Sequence, residues 1–176
     1  MKVKSTKFKD LKVISSPVHT DKRGSFREVY KEKFFKNKKF IFICTSESKR
    51  NVLRGLHLQT KFAQGKYLTV LKGEIFDVAV DLRRKSKNFG KYFSINLSDK
   101  NGLSIYIPPG FAHGFLALKK NNIITYNCTN YRSEKHELGI KWSDKDINIK
   151  WPVKKPIISN KDQNNMSLVE YLKIYE

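Results

Sequence analysis

The chain has 176 residues, enough for one domain with a sizeable core, and its 39% hydrophobic and 12% aromatic content excludes a disordered tail. Lys and Arg number 36 against 16 Asp and Glu, a net charge of +20, which admits a nucleic-acid partner, a basic cleft for a small anionic substrate, or simply a solvated lysine-rich surface. The lysines are scattered rather than striped, which favours the solvated surface over nucleic acid. No apolar run is long enough to span a bilayer, and the N-terminus lacks the apolar core of a secretory signal, so a cytoplasmic protein is expected. Cys44 and Cys128 are too few and too far apart for a zinc pattern, and a reducing compartment disfavours a disulfide.

In chain order, residues 40 to 151 read as short β-like runs separated by turn signals. The candidates are KFIFICT, NVLRGLHLQ, KYLTVLKG, EIFDVAVDLR, YFSINLS, LSIYIPPG, GFLALK and IITYNCTNY. DKNG and the NN at 121–122 read as turns, and SKNFGK as a loop. Only some runs alternate apolar and polar residues. No helix-period segment follows each strand, so a parallel α/β sheet is disfavoured. The pattern predicts an all-β protein, a β-sandwich or barrel such as a jelly roll, spanning residues 1–176 as a single domain. At the C-terminus, Ser167 followed by Glu170 forms a capping-box pattern that predicts a short helix over about 167–175.

Four histidines are present, His19, His57, His113 and His136, with no His-x-His pair and none within four residues of another. That spacing argues against a metal site. In NVLRGLHLQ, strand alternation puts Arg54 and Leu56 on one face and Leu53, Gly55 and His57 on the other. A bulge at Gly55 would bring Arg54 and His57 to one side. Taken alone, this stretch favours a hydrogen-bonded core histidine and a surface arginine over that arrangement. In YIPPGFAHGF, a stiff Pro-Pro-Gly turn leads through His113 into an apolar run, so His113 reads either as an oriented site imidazole or as a core histidine. Asp81, ending VAVD, reads either as a buried partner for Lys66 or His113 or as a strand-end turn residue.

Five segments together carry more weight. DKRGSFRE (21–28), NVLRGLHLQ (51–59), the run from Gln64 to Tyr92, IPPGFAHGFLAL (107–118) and IKWSDKDINIKWP (140–152) resemble, in order and spacing, the dTDP-4-dehydrorhamnose 3,5-epimerase family. The resemblance implies a metal-free, cofactor-independent, cupin-type jelly-roll β-barrel. It also implies a homodimer with exchanged β-structure and a nucleotide-diphosphate-linked 4-keto-6-deoxy sugar as substrate, with neither nucleic acid nor membrane as partner. It implies His57 as base, Asp162 of SNKD as its orienting carboxylate, Lys66 of QGK as the cation at the keto oxygen, and Tyr126 as the opposing acid. Arg23, Phe26 and Glu28, with Arg54, Gln59, His113, Tyr131 and Arg132, are implied to bind substrate.

The chemistry accounts for these residue types. A C4 ketone acidifies the C3 and C5 protons, and the enolate oxygen needs a donor or cation nearby. Inversion needs the proton returned from the opposite face, which a second group must supply. Two departures lie at binding positions: Tyr131–Arg132 stands where the family carries two tyrosines, and Phe42 and Cys44 stand where it carries Gln-x-Asn. They leave open whether thymidine or another nucleotide, such as a GDP-linked heptose, is bound. The competing functions are a nucleotide-sugar 3,4-ketoisomerase on the same barrel and a non-enzymatic basic binding module.

Overall fold

A computed structural model describes residues 1–35 and 38–174. Among the described residues are thirteen strands: β1 (Lys2–Ser5), β2 (Lys12–Ser15), β3 (His19–Asp21), β4 (Gly24–Phe26), β5 (Phe42–Lys49), β6 (Leu53–Gln59), β7 (Lys66–Lys72), β8 (Glu74–Asp81), β9 (Tyr92–Ser98), β10 (Leu103–Ile107), β11 (Phe111–Ala117), β12 (Asn121–Cys128) and β13 (Glu137–Gly139). They are followed by two short helices, α1 (Asn160–Gln163) and α2 (Leu168–Ile174). The expected all-β architecture with a short C-terminal helix is borne out. Among the described residues no helix is long and apolar enough to cross a membrane.

Two sheets face each other. One runs β1-β2-β10-β7-β12-β5, the other β13-β6-β11-β8-β9, and β3-β4 form a separate hairpin. The sheets stay open at their edges, so the architecture is a flattened jelly roll rather than a closed ring. From β5 to β8 the chain changes sheet at every step, and again at β9–β10, β10–β11 and β11–β12. Leu68, Val70, Ile105 and Ile124 of one sheet meet Ile75, Ala79, Leu97 and Phe115 of the other in the central core.

Partial alternation now has a physical reason. The outer face of the five-stranded sheet is also covered, by Ile140, Ile147, Ile149, Leu168 and Tyr171 of the C-terminal segment packed on Leu56, Val78 and Ala112. A strand buried on both faces has no reason to alternate. All seven residues of β11 are buried.

Some expected boundaries move. Asn121 and Asn122 open β12 instead of forming its preceding turn. The Asn122 amide is fully buried and stitches that turn, its Nδ2 donating to Lys119 O at 2.7 Å and Ser48 O at 2.9 Å. β11 begins at Phe111, so His113 lies inside the strand rather than ahead of it. β1 to β4 carry too few apolar residues to have stood out in the sequence. The Ser167–Glu170 capping box forms as expected, with Glu170 N donating to Ser167 Oγ (3.2 Å) and Ser167 N to Glu170 Oε2 (2.6 Å). Residue 175 of the expected helix lies outside the described residues. Asp144 of IKWSDKD is a structural staple: its carboxylate accepts from Ile147 N and Leu168 N, tying the covering segment to the start of α2.

Candidate active site

The site begins with the bulge at Gly55. Along the β6–β11 pair, His57 faces His113 while Arg54 faces Phe115, so β6 spends one residue more than β11 between the same rungs. Gly55 has φ +116°, and a Cβ there would sit 2.6 Å from Gly114 Cα and 2.6 Å from His113 O. Only glycine fits such a positive φ at this backbone separation. The extra residue turns Arg54 and His57 toward one cavity of about 580 Å³, which both line.

His57 projects from the five-stranded sheet. Its Nε2 lies 2.6 Å from Asp162 Oδ1, and the other carboxylate oxygen accepts the Gly55 amide at 3.0 Å. Asp162 is buried in α1, whose N-cap Ser159 accepts the Asp162 amide at 3.1 Å. SNKD is therefore a capped helical turn rather than an open loop, and the cap fixes the carboxylate. Burial opposes ionisation of Asp162, but the His57 hydrogen bond and charge and the Gly55 amide hold its pKa below the ordinary value.

Tyr126 projects from β12 of the opposite sheet into the same cavity. Its hydroxyl lies 2.9 Å from Ser46 Oγ on β5. Burial pushes the phenol pKa well up, so it stays neutral. Its ring meets the His113 ring edge-on, with centroids 6.5 Å apart. Lys66 lies at the start of β7, and burial pushes its ammonium pKa down. One cavity thus has an imidazole on one wall, and a neutral phenol and an ammonium from neighbouring strands on the other.

The partner of His113 is Asp77, with Nε2 to Oδ2 at 2.8 Å, both buried. Asp81, considered for this place, instead binds its own turn: Arg83 Nη2 at 2.7 Å and Ser86 Oγ at 2.7 Å. Its strand-end reading is the correct one. Asp77 was missed, although an acid in the middle of the apolar run EIFDVAVD was a signal. Glu137 and Lys161 also line the cavity unforeseen. Burial would raise the Glu137 pKa, yet hydrogen bonds from Lys161 (2.6 Å) and Arg132 (2.9 Å) hold it at about 2.

Of the remaining expected residues, Arg54 and Arg132 line the cavity, and Arg132 is tied by Glu137 and Glu134. Gln59 lines it too, but its amide is spent on backbone: it donates to Phe62 O at 2.9 Å and accepts from Ser133 N at 2.8 Å. It shapes the rim instead of offering a free hydrogen-bonding group. Tyr131 is not on the cavity; its exposed ring leans on Phe42 at 6.2 Å. Arg23, Phe26 and Glu28 lie elsewhere as well, because β3-β4 joins neither sheet. Arg23 is exposed and paired with Asp21 at 2.6 Å, Glu28 with Lys31 at 2.6 Å, and Phe26 is 68% exposed.

A model of the family described as dTDP-4-dehydrorhamnose 3,5-epimerase matches residues 5–170. The chain belongs to that family. The Shigella flexneri dTDP-4-dehydrorhamnose 3,5-epimerase is 43% identical over 176 residues, covering 97% of each chain. The Methanothermobacter thermautotrophicus protein of the same name is 45% identical over 159 residues, covering 86% of each. The crystal structure of the Elizabethkingia anophelis epimerase superposes with a TM-score of 0.90 at 41% identity, covering 97% of each chain. A Legionella pneumophila dTDP-6-deoxy-D-glucose-3,5-epimerase, solved in complex with dTDP-4-keto-L-rhamnose, gives 0.91 at 36% identity, covering 96% of this chain and 93% of that one.

Proposed function

We propose that this chain, acting as a single domain over residues 1–176, inverts C3 and C5 of a dTDP-linked 4-keto-6-deoxy sugar without a cofactor. The observation that carries the reading is that His57 and Tyr126 reach one cavity from opposing sheets. His57 takes the proton from the carbon beside the ketone, and the electron pair moves to the C4 oxygen. Lys66 stabilises the enolate formed there. Tyr126 returns a proton to the other face, and the same sequence serves the second centre. Asp162 holds the His57 ring orientation and tautomer. Arg54 and Arg132 line the cavity as donors for the diphosphate or nucleoside, and His113, held by Asp77, stiffens the wall between His57 and Tyr126.

The relatives described above are named for a dTDP-linked substrate, which favours thymidine over the GDP-linked heptose. Membership of an epimerase family likewise favours epimerisation over 3,4-ketoisomerisation, and a cytoplasmic location suits a substrate made from activated nucleotides. The test is a proton NMR time course in heavy water with dTDP- and GDP-linked 4-keto-6-deoxy sugars. Deuterium should enter C3 and C5 of the dTDP sugar with inversion. Migration of the keto group from C4 to C3, or no exchange at all, would overturn the reading.

The exposed β3-β4 hairpin has a place in this reading. Arg23, Phe26 and Glu28 supply a cation, an aromatic face and an acid that their own cavity does not use. In a homodimer each hairpin would reach the cavity of the other copy. Light scattering should give the mass of two chains, and Arg23→Ala should raise KM more than it lowers kcat. A monomeric, fully active enzyme would refute this arrangement.

A further inference from the structure

Cys44 and Cys128 are the chain's only two cysteines, and both line the cavity. Strand register explains how they meet. Along β5 and β12, Phe42 pairs with Cys128 and Cys44 with Tyr126, so the two thiols lie diagonally on one face of adjacent strands. On the other side of β12, Cys128 pairs with Lys66. Each thiol acts on the ionisation of the other. Cys44 is half-buried; Cys128 is 2% exposed, and what it shows faces the cavity. Neither thiol has a part in the acid–base sequence above.

Burial pushes both thiols toward the neutral form, Cys128 up to about 11. Reagents that need a preformed thiolate, such as peroxides and alkylators, are disfavoured by such an environment. A ligand that engages both sulfurs gains by chelation instead, since the second bond forms within one complex. We propose that Cys44 and Cys128 form a bidentate site for trivalent arsenicals on the cavity wall beside Lys66 and Tyr126. With a monosubstituted arsenoxide, both S–H bonds break and two S–As bonds form. The oxygen leaves as water with both protons, and no atom changes oxidation state. A phenylarsenic group held there would fill the space between the two walls.

The test uses the full chain, phenylarsine oxide and intact-mass measurement, without any nucleotide sugar, so its outcome is independent of the epimerase reading. One adduct per chain is expected, with both thiols lost to titration. It should survive excess 2-mercaptoethanol and be removed by 2,3-dimercaptopropanol. Cys44→Ser, at the half-buried position, should weaken the adduct by about 100-fold or more and make it labile to the monothiol. Cys128→Ser should do the same where it folds. No adduct on the wild-type chain, or one that resists monothiol in Cys44→Ser, would overturn the proposal.

Discussion

A Tyr126→Phe variant is expected to go on exchanging substrate protons with solvent while its net inversion falls by about 100- to 10,000-fold. The substitution removes a hydroxyl and keeps the ring. The contact with His113 and the packing of β12 should therefore survive, and only the hydrogen bond with Ser46 is lost. His57 stands on the opposite sheet, held by Asp162 of α1, and both are untouched. The base can still remove a proton, and the enolate can still lean on Lys66. What is missing is a donor on the far face, so His57 returns a solvent-derived proton to the face it came from. Deuterium incorporation measured beside product formation separates the two steps. Full epimerase rate in this variant would remove Tyr126 from the acid role, and loss of both exchange and inversion would assign it a wider one.

Asp162→Asn should behave differently, with exchange and inversion falling together by a comparable factor of about 100 to 10,000. The carboxylate accepts from two groups at once, His57 at 2.6 Å and the Gly55 amide at 3.0 Å. An amide of the same shape can satisfy only one of them as acceptor, and its NH2 facing the ring would select the wrong tautomer. His57→Asn should abolish both steps. The carboxylate also links to stability. Its folded pKa lies below its unfolded value, so its stabilising contribution is complete above the unfolded pKa and disappears as pH falls through the folded one. Thermal melting from neutral to acidic pH should fall less steeply in Asp162→Asn than in wild type. An Asp162→Asn enzyme with wild-type exchange would show that His57 needs no partner.

Much of the site was legible because its signals are local. A glycine inside the apolar run NVLRGLHLQ is a recognisable bulge position, and Arg54 and His57 do face one cavity because of it. Pro108, Pro109 and Gly110 mark the short crossover that carries the chain from one sheet to the other before His113. Ser167 and Glu170 announce the start of α2 three residues apart. The family motifs supplied the remaining roles, since no spacing rule connects residue 57 with residue 162.

By itself, then, the sequence determined the strand-rich class, the terminal helix and the family, and marked Gly55 as a place where a bulge could form. Which strands lie side by side, and hence which side chains meet, was decided only by the tertiary structure. Alternation says which face a residue takes within its strand but not what stands across from it. Asp77 and His113 are 36 residues apart, Ser46 and Tyr126 are 80 apart, and each pair is made by sheet register. The same long-range packing buries β11 on both faces, erasing the alternation that would have shown which way His113 points. It also leaves Arg23 and Phe26 on a hairpin outside both sheets, with Glu28 just beyond it, because three-residue strands without a buried face have nothing within their own chain to hold them against the core.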